Sequence, residues 1–332
     1  FKACTMADVA IASYPFTTIK PNHAMGFVRI ECADNDFNKQ CNPRMGFCIE
    51  HNRFVPVELL DVAGLVPGAH EGKGLGNQFL NDLVQADVLV HIVDASGSTN
   101  ETGETVPALS YDPCNDIKFL EDELDLWIFQ SVKKGWDKFV RQQNVEKLEI
   151  HKAIAKQLSF LGVDEEIAEE ILLKFNPDIR IWNDADLLNL STAIRKRTKP
   201  IIIAANKIDV PGADKNIENM KIRFPDYHII PCSADFELAL REAAKLSLIK
   251  YIPGNKKFDV IGNLSDKQKS ALEHIQKNVL DKFGSTGVQD VLNISVFDLL
   301  KYIAIFPGGL NNLVDSQGRV LPDCFLMKPG TT

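Results

Sequence analysis

Long apolar runs are missing from this sequence. None approaches the roughly 20 residues that a helix needs to span a bilayer, so no membrane partner is predicted. An excess of basic residues is missing too: 37 Lys and Arg stand against 45 Asp and Glu, a formal net charge of -8. Nonspecific coating of nucleic acid needs a basic face, so DNA is not a predicted partner, although a small local basic patch remains compatible with this charge. A disulfide framework is also lacking. The seven cysteines are odd in number and scattered, which reads as reduced thiols in a cytoplasmic protein. Internal repeats and low-complexity segments are absent. Phe1 is not a natural start, and the stretch from Phe325 to Thr332 reads as structure interrupted, so the lack of a targeting signal carries little weight.

What is present is an ordinary globular balance, 45% hydrophobic and 25% charged. At 332 residues, two or three domains are expected. Short β-rich apolar runs recur, each followed by a polar or glycine-rich turn. The clearest are Val57-Glu-Leu-Leu60, Val88-Leu-Val-His-Ile-Val93, Ile201-Ile-Ile-Ala-Ala205 and Tyr227-His-Ile-Ile-Pro231. Near-continuous apolar runs suit strands buried on both faces of a parallel sheet. Helical stretches between them give a doubly wound α/β fold. Functional loops are then expected at the carboxyl ends of the strands.

A long helical insertion separates the second and third of these strands. Ile117, Leu120, Leu124 and Ile128 keep helical spacing, as do Leu148, Ile154, Leu158 and Leu161. Asp164 is placed to cap a helix carrying Ile167, Ile171 and Phe175, and Asp184 one carrying Leu187, Leu188 and Ile194. Downstream, Ser265-Asp-Lys-Gln268 is a capping box for a helix through Ala271, Ile275 and Val279, with Gly284 as its stop. A second helix is predicted from about Thr286 to Leu300. Short strands at 303–307, 318–321 and 324–327 then open a small β-rich unit.

Four loop motifs stand in one order along the chain. Asp61-Val-Ala-Gly64 follows the first strand. In a nucleotide switch such an aspartate holds Mg²⁺, usually through water, and the glycine amide contacts the γ-phosphate. Alone, Asp-x-x-Gly is a common turn. Asn206-Lys-Ile-Asp209 follows the third strand. A carboxylate there accepts two hydrogen bonds from guanine N1 and N2, a pair that adenine does not offer, and the wrong base leaves the carboxylate unpaired. Asn206 braces the loop, and the Lys207 stem covers the base. Ser233-Ala234 follows the fourth strand, where a backbone amide reaches the guanine carbonyl. Upstream, Thr17 and Thr18 lie in Tyr14-Pro-Phe-Thr-Thr-Ile-Lys-Pro-Asn22. A threonine hydroxyl there can coordinate Mg²⁺ and order the loop when the γ-phosphate is present; the plainer reading is a turn cap before Pro21.

Tyr14 to Asn22, together with Asp61-Val-Ala-Gly-Leu-Val-Pro-Gly-Ala-His-Glu-Gly-Lys-Gly-Leu-Gly-Asn77, closely resembles the Obg/YchF family of translation-factor GTPases, and most of all its archaeal YchF-related branch. The resemblance covers nearly the whole chain. It implies a doubly wound P-loop GTPase domain in two parts, 1–110 and 199–300, a helical insertion over 111–198, and the start of a β-grasp TGS domain over 301–332. It also implies GTP and GDP as ligands, Mg²⁺ as cofactor, and the ribosome or ribosomal RNA as partner. Thr18, rather than Thr17, aligns with the family's recurrent Mg²⁺-binding threonine.

Three features qualify that expectation. The family's phosphate loop, ending in Gly-Lys-Ser/Thr, is expected immediately before Phe1; without its amides, lysine and hydroxyl the chain should bind nucleotide poorly. Many YchF proteins alter the base motif and prefer ATP, whereas Asn206, Lys207 and Asp209 keep the guanine-reading form. Leu65 follows Gly64, where several GTPases carry a water-orienting glutamine. Slow hydrolysis is therefore predicted, or dependence on another group, an external partner or a monovalent cation such as K⁺. His70 and Glu71 are candidates for closing on the γ-phosphate, with an exposed loop residue as the ordinary alternative. An ATPase of the same architecture and a non-enzymatic ribosome-binding protein are the rival functions.

Two further groups stand apart. Cys32, Cys41, Cys48 and His51 loosely suggest zinc, but their spacing lacks the close Cys-x₂₋₄-Cys pairs of structural zinc sites, which favours small thiols in a hairpin insertion. Lys133, Lys134, Lys138 and Arg141 surround Trp136. Such a cluster suits RNA contact, with a solvated helix face as the plainer reading.

Overall fold

Two separate sets of strands organise the protein in a computed structural model that describes residues 1–6, 22–62, 68, 82–146, 149–308 and 313–331. The first is an antiparallel hairpin sheet, β1 (Asn22–Glu31), β2 (Phe47–Ile49) and β3 (Asn52–Asp61), with β3 in the middle. The second is parallel: β4 (Leu89–Asp94), β5 (Ile201–Asn206) and β6 (His228–Pro231), with β5 central.

All four predicted runs form strands, but they are not alike. The β5 run is buried at every position from Ile201 to Ala205, as a parallel strand covered on both faces should be. The Val57–Leu60 run belongs instead to an antiparallel strand, paired with β1 from Asn22 opposite Asp61 to Glu31 opposite Asn52. On β4, Val90 and Ile92 are exposed, at 38% and 60%. Both point to one face of the strand, while Leu89 and Val93 on the other face are buried. His91 lies between them with Nδ1 buried and unpartnered, and burial lowers its pKa to about 4.

Short helix α1 (Lys2–Thr5) precedes the strands. Between β4 and β5 the chain forms α2 (Cys114–Glu146), α3 (Ile150–Leu158), α4 (Glu165–Leu172) and α5 (Asp184–Thr198). The first half of α2 places Ile117, Leu120 and Leu124 against the parallel sheet. Its second half, past Ile128, builds a different core with α3, α4 and α5 around Val132, Trp136, Leu158 and Ile194. Each such fully buried aliphatic side chain contributes about 1.5–3 kcal/mol. Trp136 is therefore unavailable to RNA: it is 6% exposed and stacks on Trp182 at 5.4 Å.

Arg195 ties this insertion to the sheet layer. Its buried guanidinium bonds Asp125 at 2.5 Å, Glu121 at 3.1 Å and the Tyr227 hydroxyl at 3.0 Å. Asp164 caps α4 as its sequence predicts, accepting the Ile167 amide. The cap of α5 falls one residue earlier than predicted, on Asn183, which forms a capping box with Asp186.

After β5 come α6 (Ala213–Arg223), β6 and α7 (Ala234–Lys245), then a two-strand ribbon of β7 (Ile249–Lys250) and β8 (Asp259–Val260). Helix α8 (Asp266–Ile275) opens on the Ser265–Gln268 capping box; its helical path runs on to Phe283 and stops at Gly284, which has φ 86°. Helix α9 (Val288–Asn293) and the π-helical turn that continues it over Ile294–Leu299 pack Leu292 and Val296 onto Val28 and Val55 of the hairpin sheet, while Val291 packs on Ile202 and Ala204 of the parallel one. They thereby join the two sheets. The tail adds the antiparallel pair β9 (Ile303–Ile305) and β10 (Phe325–Met327), plus a bridge from Val314 to Val320.

Candidate nucleotide-binding site

The loops after β4, β5 and β6 meet at the carboxyl end of the parallel sheet, the place where such sheets hold ligands. Asn206 ends β5. Its side-chain oxygen accepts the Ala234 amide at 3.0 Å, so it fixes the loop after β6 to the loop after β5. The backbone reinforces this link: the Ile208 amide donates to Cys232 O at 3.1 Å, and the Cys232 amide to Ala205 O at 2.8 Å. Asp209 Oδ1 accepts the Ser233 hydroxyl at 2.7 Å. Its Oδ2 has no protein donor among the described residues, and each carboxylate oxygen has two acceptor positions. Asn206, Asp209, Ser233 and Ala234 are thus brought together as one unit.

Lys207 adopts φ 65°, an unusual backbone conformation for a lysine. Its ammonium donates to Asp94 Oδ2 at 2.8 Å and to Ser98 Oγ at 3.2 Å, with Thr99 Oγ1 at 3.4 Å. The aliphatic stem is held between its backbone and that anchor. Asp94 ends β4 and also accepts from Ser96, Ser98 and Thr99. Burial alone would raise its pKa, but bonds from Lys207, Ser96, Thr99 and Ser98 outweigh this and hold the carboxyl below its ordinary value. Sequence reasoning passed over Asp94-Ala-Ser-Gly-Ser-Thr99. The available signal was an aspartate at a strand's carboxyl end followed by small hydroxyl residues.

A second layer supports the base loop from behind. The Ser233 amide donates to Thr286 O at 2.9 Å. The Thr286 hydroxyl donates to Glu237 Oε2 at 2.6 Å, beside the Tyr251 hydroxyl at 2.7 Å, and Arg241 bonds the other Glu237 oxygen at 2.5 Å. Gly287 has φ 78°, and a Cβ there would lie 1.8 Å from Pro231 O, so only glycine allows this close approach.

Of the remaining predicted site residues, Asp61 ends β3 half-buried, with one oxygen 3.3 Å from the Asn22 side-chain amide. Thr18, Gly64 and His70 lie outside the described residues, as do Thr17, Leu65 and Glu71. The nearby Gly68 is described, and its amide donates to Glu123 Oε1 at 2.8 Å.

Residues 1–117 match the family described as 50S ribosome-binding GTPase, and residues 204–308 the Obg-like GTPase YGR210-like, G4 motif-containing domain. A GTP-binding protein of Methanocaldococcus jannaschii is 45% identical over 100% of this chain and 84% of its own length. The chain belongs to the Obg/YchF family of GTP-binding proteins. A crystal structure of a GTP-binding protein from Pyrococcus horikoshii, 35% identical, covers 100% of this chain and 82% of its own with a TM-score of 0.75. The α/β architecture is therefore the P-loop GTPase fold. Within the Obg/YchF family, a more distant relative from Gallus gallus carries the name Obg-like ATPase 1; it is 28% identical over 77% of this chain and 63% of its own length.

Proposed function

We propose that this protein is a Mg²⁺-dependent guanine-nucleotide switch that hydrolyses GTP slowly and acts in translation at the ribosome. The observation that carries the guanine reading is the pre-built base loop. Asp209 is anchored through one oxygen to Ser233 and keeps acceptor capacity for guanine N1 and N2. Asn206 locks the Ala234 turn beside it, and the Lys207 stem covers the ring. Adenine would leave the Asp209 carboxylate unpaired, a costly outcome in a site built for the pair.

Asp61 and Thr18 are the proposed Mg²⁺ residues, Gly64 the γ-phosphate sensor, and His70 a group that closes on the phosphate. The Mg²⁺ ion would neutralise charge on the phosphates. A monovalent cation such as K⁺ is the proposed substitute for a water-orienting side chain beside Leu65. Ribosome association rests on the 50S ribosome-binding family match over residues 1–117. The tail from 301, with β9 and β10, is proposed as the start of a TGS unit, and 111–198 as an inserted helical domain.

Titration of GDP and ADP with Mg²⁺ tests the reading on the chain extended by a phosphate loop. GDP should bind the extended chain at least about 100-fold more tightly than ADP, and Asp209→Asn should erase that preference. Equal or tighter ADP binding replaces this reading with the ATPase one. Ribosome pelleting that is identical with GDP, a GTP analogue and no nucleotide would make the protein a non-enzymatic binder.

A further inference from the structure

The hairpin sheet holds a second cluster, remote in character from the nucleotide loops. Cys32 leaves β1, Cys41 follows a short 3₁₀ turn over Ala33–Phe37, and Cys48 lies on β2. Their spacing in sequence is wide, but the hairpin folds them onto one point. Cys32 Sγ lies 3.5 Å from Cys41 Sγ, and Cys48 Sγ lies 3.9 Å from Asp34 Oδ2. The three sulfurs and one Asp34 oxygen all fall within 4.8 Å of one another. Cys32, Asp34 and Cys41 are buried, at 1%, 0% and 5% exposure.

Those separations have a specific meaning. A tetrahedral zinc ion with Zn–S bonds of about 2.3 Å sets its sulfurs about 3.8 Å apart. The 3.5 and 3.9 Å separations lie near that value, and with all four ligand atoms within 4.8 Å the pocket is close to the size of a four-coordinate site. A disulfide is a poor account of it, because a bonded pair has sulfurs about 2.05 Å apart and a third thiol would remain.

A second observation points to the same conclusion. Arg53 on β3 is 1% exposed, yet no carboxylate lies within ion-pair distance of it among the described residues. Its NH1 donates to Leu321 O at 3.0 Å and lies 3.6 Å from Cys41 Sγ, its NH2 donates to Pro322 O at 2.8 Å, and its Nε has no partner. Buried charges are ordinarily paired. Three thiolates and a carboxylate around a divalent cation leave a net negative centre, which would give Arg53 the missing counter-charge.

We propose that Cys32, Cys41, Cys48 and Asp34 bind one Zn²⁺ ion in a closed, structural site. Asp34 is already held for this role. The Cys41 amide donates to Oδ2 at 2.8 Å, and His51 Nδ1 lies 2.9 Å from Oδ1, the kind of outer partner that orients a metal ligand. All four positions are taken by protein, so no open position remains for a substrate, as in structural rather than catalytic zinc. The ion would fasten the hairpin to the tail. Arg53 bonds Leu321 and Pro322, the Asn42 amide donates to Val320 O, the Arg44 amide donates to Pro322 O, and Cys32, Cys41 and Leu321 share one apolar cluster.

The test is metal analysis of the protein purified under reductant without chelator, followed by replacement with Co²⁺. Stoichiometric zinc is expected, with an intense thiolate-to-cobalt charge-transfer band and the ligand-field bands of tetrahedral cobalt. Cys41→Ser should lose the zinc, while Cys324→Ser, a half-buried thiol outside the quartet, should keep it. Substoichiometric zinc together with no thiolate–cobalt band in the reduced wild-type protein overturns the proposal. So does full zinc retention by Cys41→Ser, or a Cys32–Cys41 disulfide that persists under reductant. The wild-type cobalt spectrum decides the matter even if the serine variant does not fold.

Discussion

Among the described residues two carboxylates are completely buried, and their surroundings differ in kind. Glu237 and Asp34 are each 0% exposed. Around Glu237 the chain supplies everything a buried carboxylate needs: the Arg241 guanidinium and the hydroxyls of Tyr251 and Thr286. The network closes on itself, and burial beside that negative charge pushes the Tyr251 pKa well up. Around Asp34 the chain supplies a backbone amide and a histidine, then three thiols and an arginine with an idle Nε. Burial pushes the Cys48 thiol up to about 12. The first cluster is complete as protein. The second has the donor set of a metal site and is complete only with a cation inside it.

The largest effect should come from removing the self-contained carboxylate. Glu237→Ala strands Arg241 and two hydroxyls, and should lower the unfolding free energy by about 3–5 kcal/mol, measured by urea denaturation. A chelator should not change that loss. Asp34→Ala should cost about 1–3 kcal/mol in chelator-treated protein, the penalty for unpairing the Cys41 amide, and more in zinc-loaded protein. Identical responses of the two variants to chelator would erase the distinction.

Gly287→Ala sharpens the comparison from the other side, because it leaves both carboxylates intact and disturbs only the contact between α9's entry and β6. The left-handed backbone alone costs about 1–3 kcal/mol for a residue with a side chain, and the new Cβ must displace Pro231 O. The strand end at Pro231 and Cys232 leads directly to Ser233, so GDP affinity of the phosphate-loop-extended chain should fall as well. Unchanged GDP binding with reduced stability would show that the base loop does not depend on this support.

The base loop was legible in sequence because its parts are local. Asn206, Lys207 and Asp209 sit on one turn after the all-apolar run Ile201–Ala205, and Ser233–Ala234 hold the same position after the next strand. The capping residues Asp164 and Ser265 were legible for the same reason. Strand β1 and its antiparallel pairing were not, since β1 is broken by Gly26 and Arg29 and shows neither a clean alternation nor a continuous apolar run. The sequence suggested a hairpin insertion around the cysteines but not its register, so the three remained far apart. Trp136 was misplaced because charged neighbours on a helix say nothing about a residue on its opposite face. The pairing of Arg195 with Asp125, and of Lys207 with Asp94, joins positions 70 and 113 residues apart, beyond any pattern in a local window.

The smallest predicted effect concerns a third carboxylate, one with too few donors and no cation. Asp116 has its pKa pushed up to about 6, first by burial and then by the charges of Asp94, Glu101 and Asp112; the Tyr111 hydroxyl, 2.8 Å away, only partly offsets them. The folded protein thus holds this proton more tightly than the unfolded chain, whose carboxyl titrates near 3.8. Its contribution to stability is full below about pH 4, declines as pH rises through 6, and stays low above that. Asp94 acts in the opposite sense: its lowered pKa stabilises the fold at neutral pH and loses that effect in acid. Asp116→Asn should therefore stabilise the protein above pH 6. The shift corresponds to roughly 3 kcal/mol at most, and solvent screening of a half-buried group reduces this to about 1 kcal/mol. Thermal melts of both proteins at pH 8 and pH 4 check it: a gain at pH 8 that vanishes at pH 4 is expected. An equal gain at both values would mean that the asparagine acts through packing, and that Asp116 is no more frustrated than Glu237.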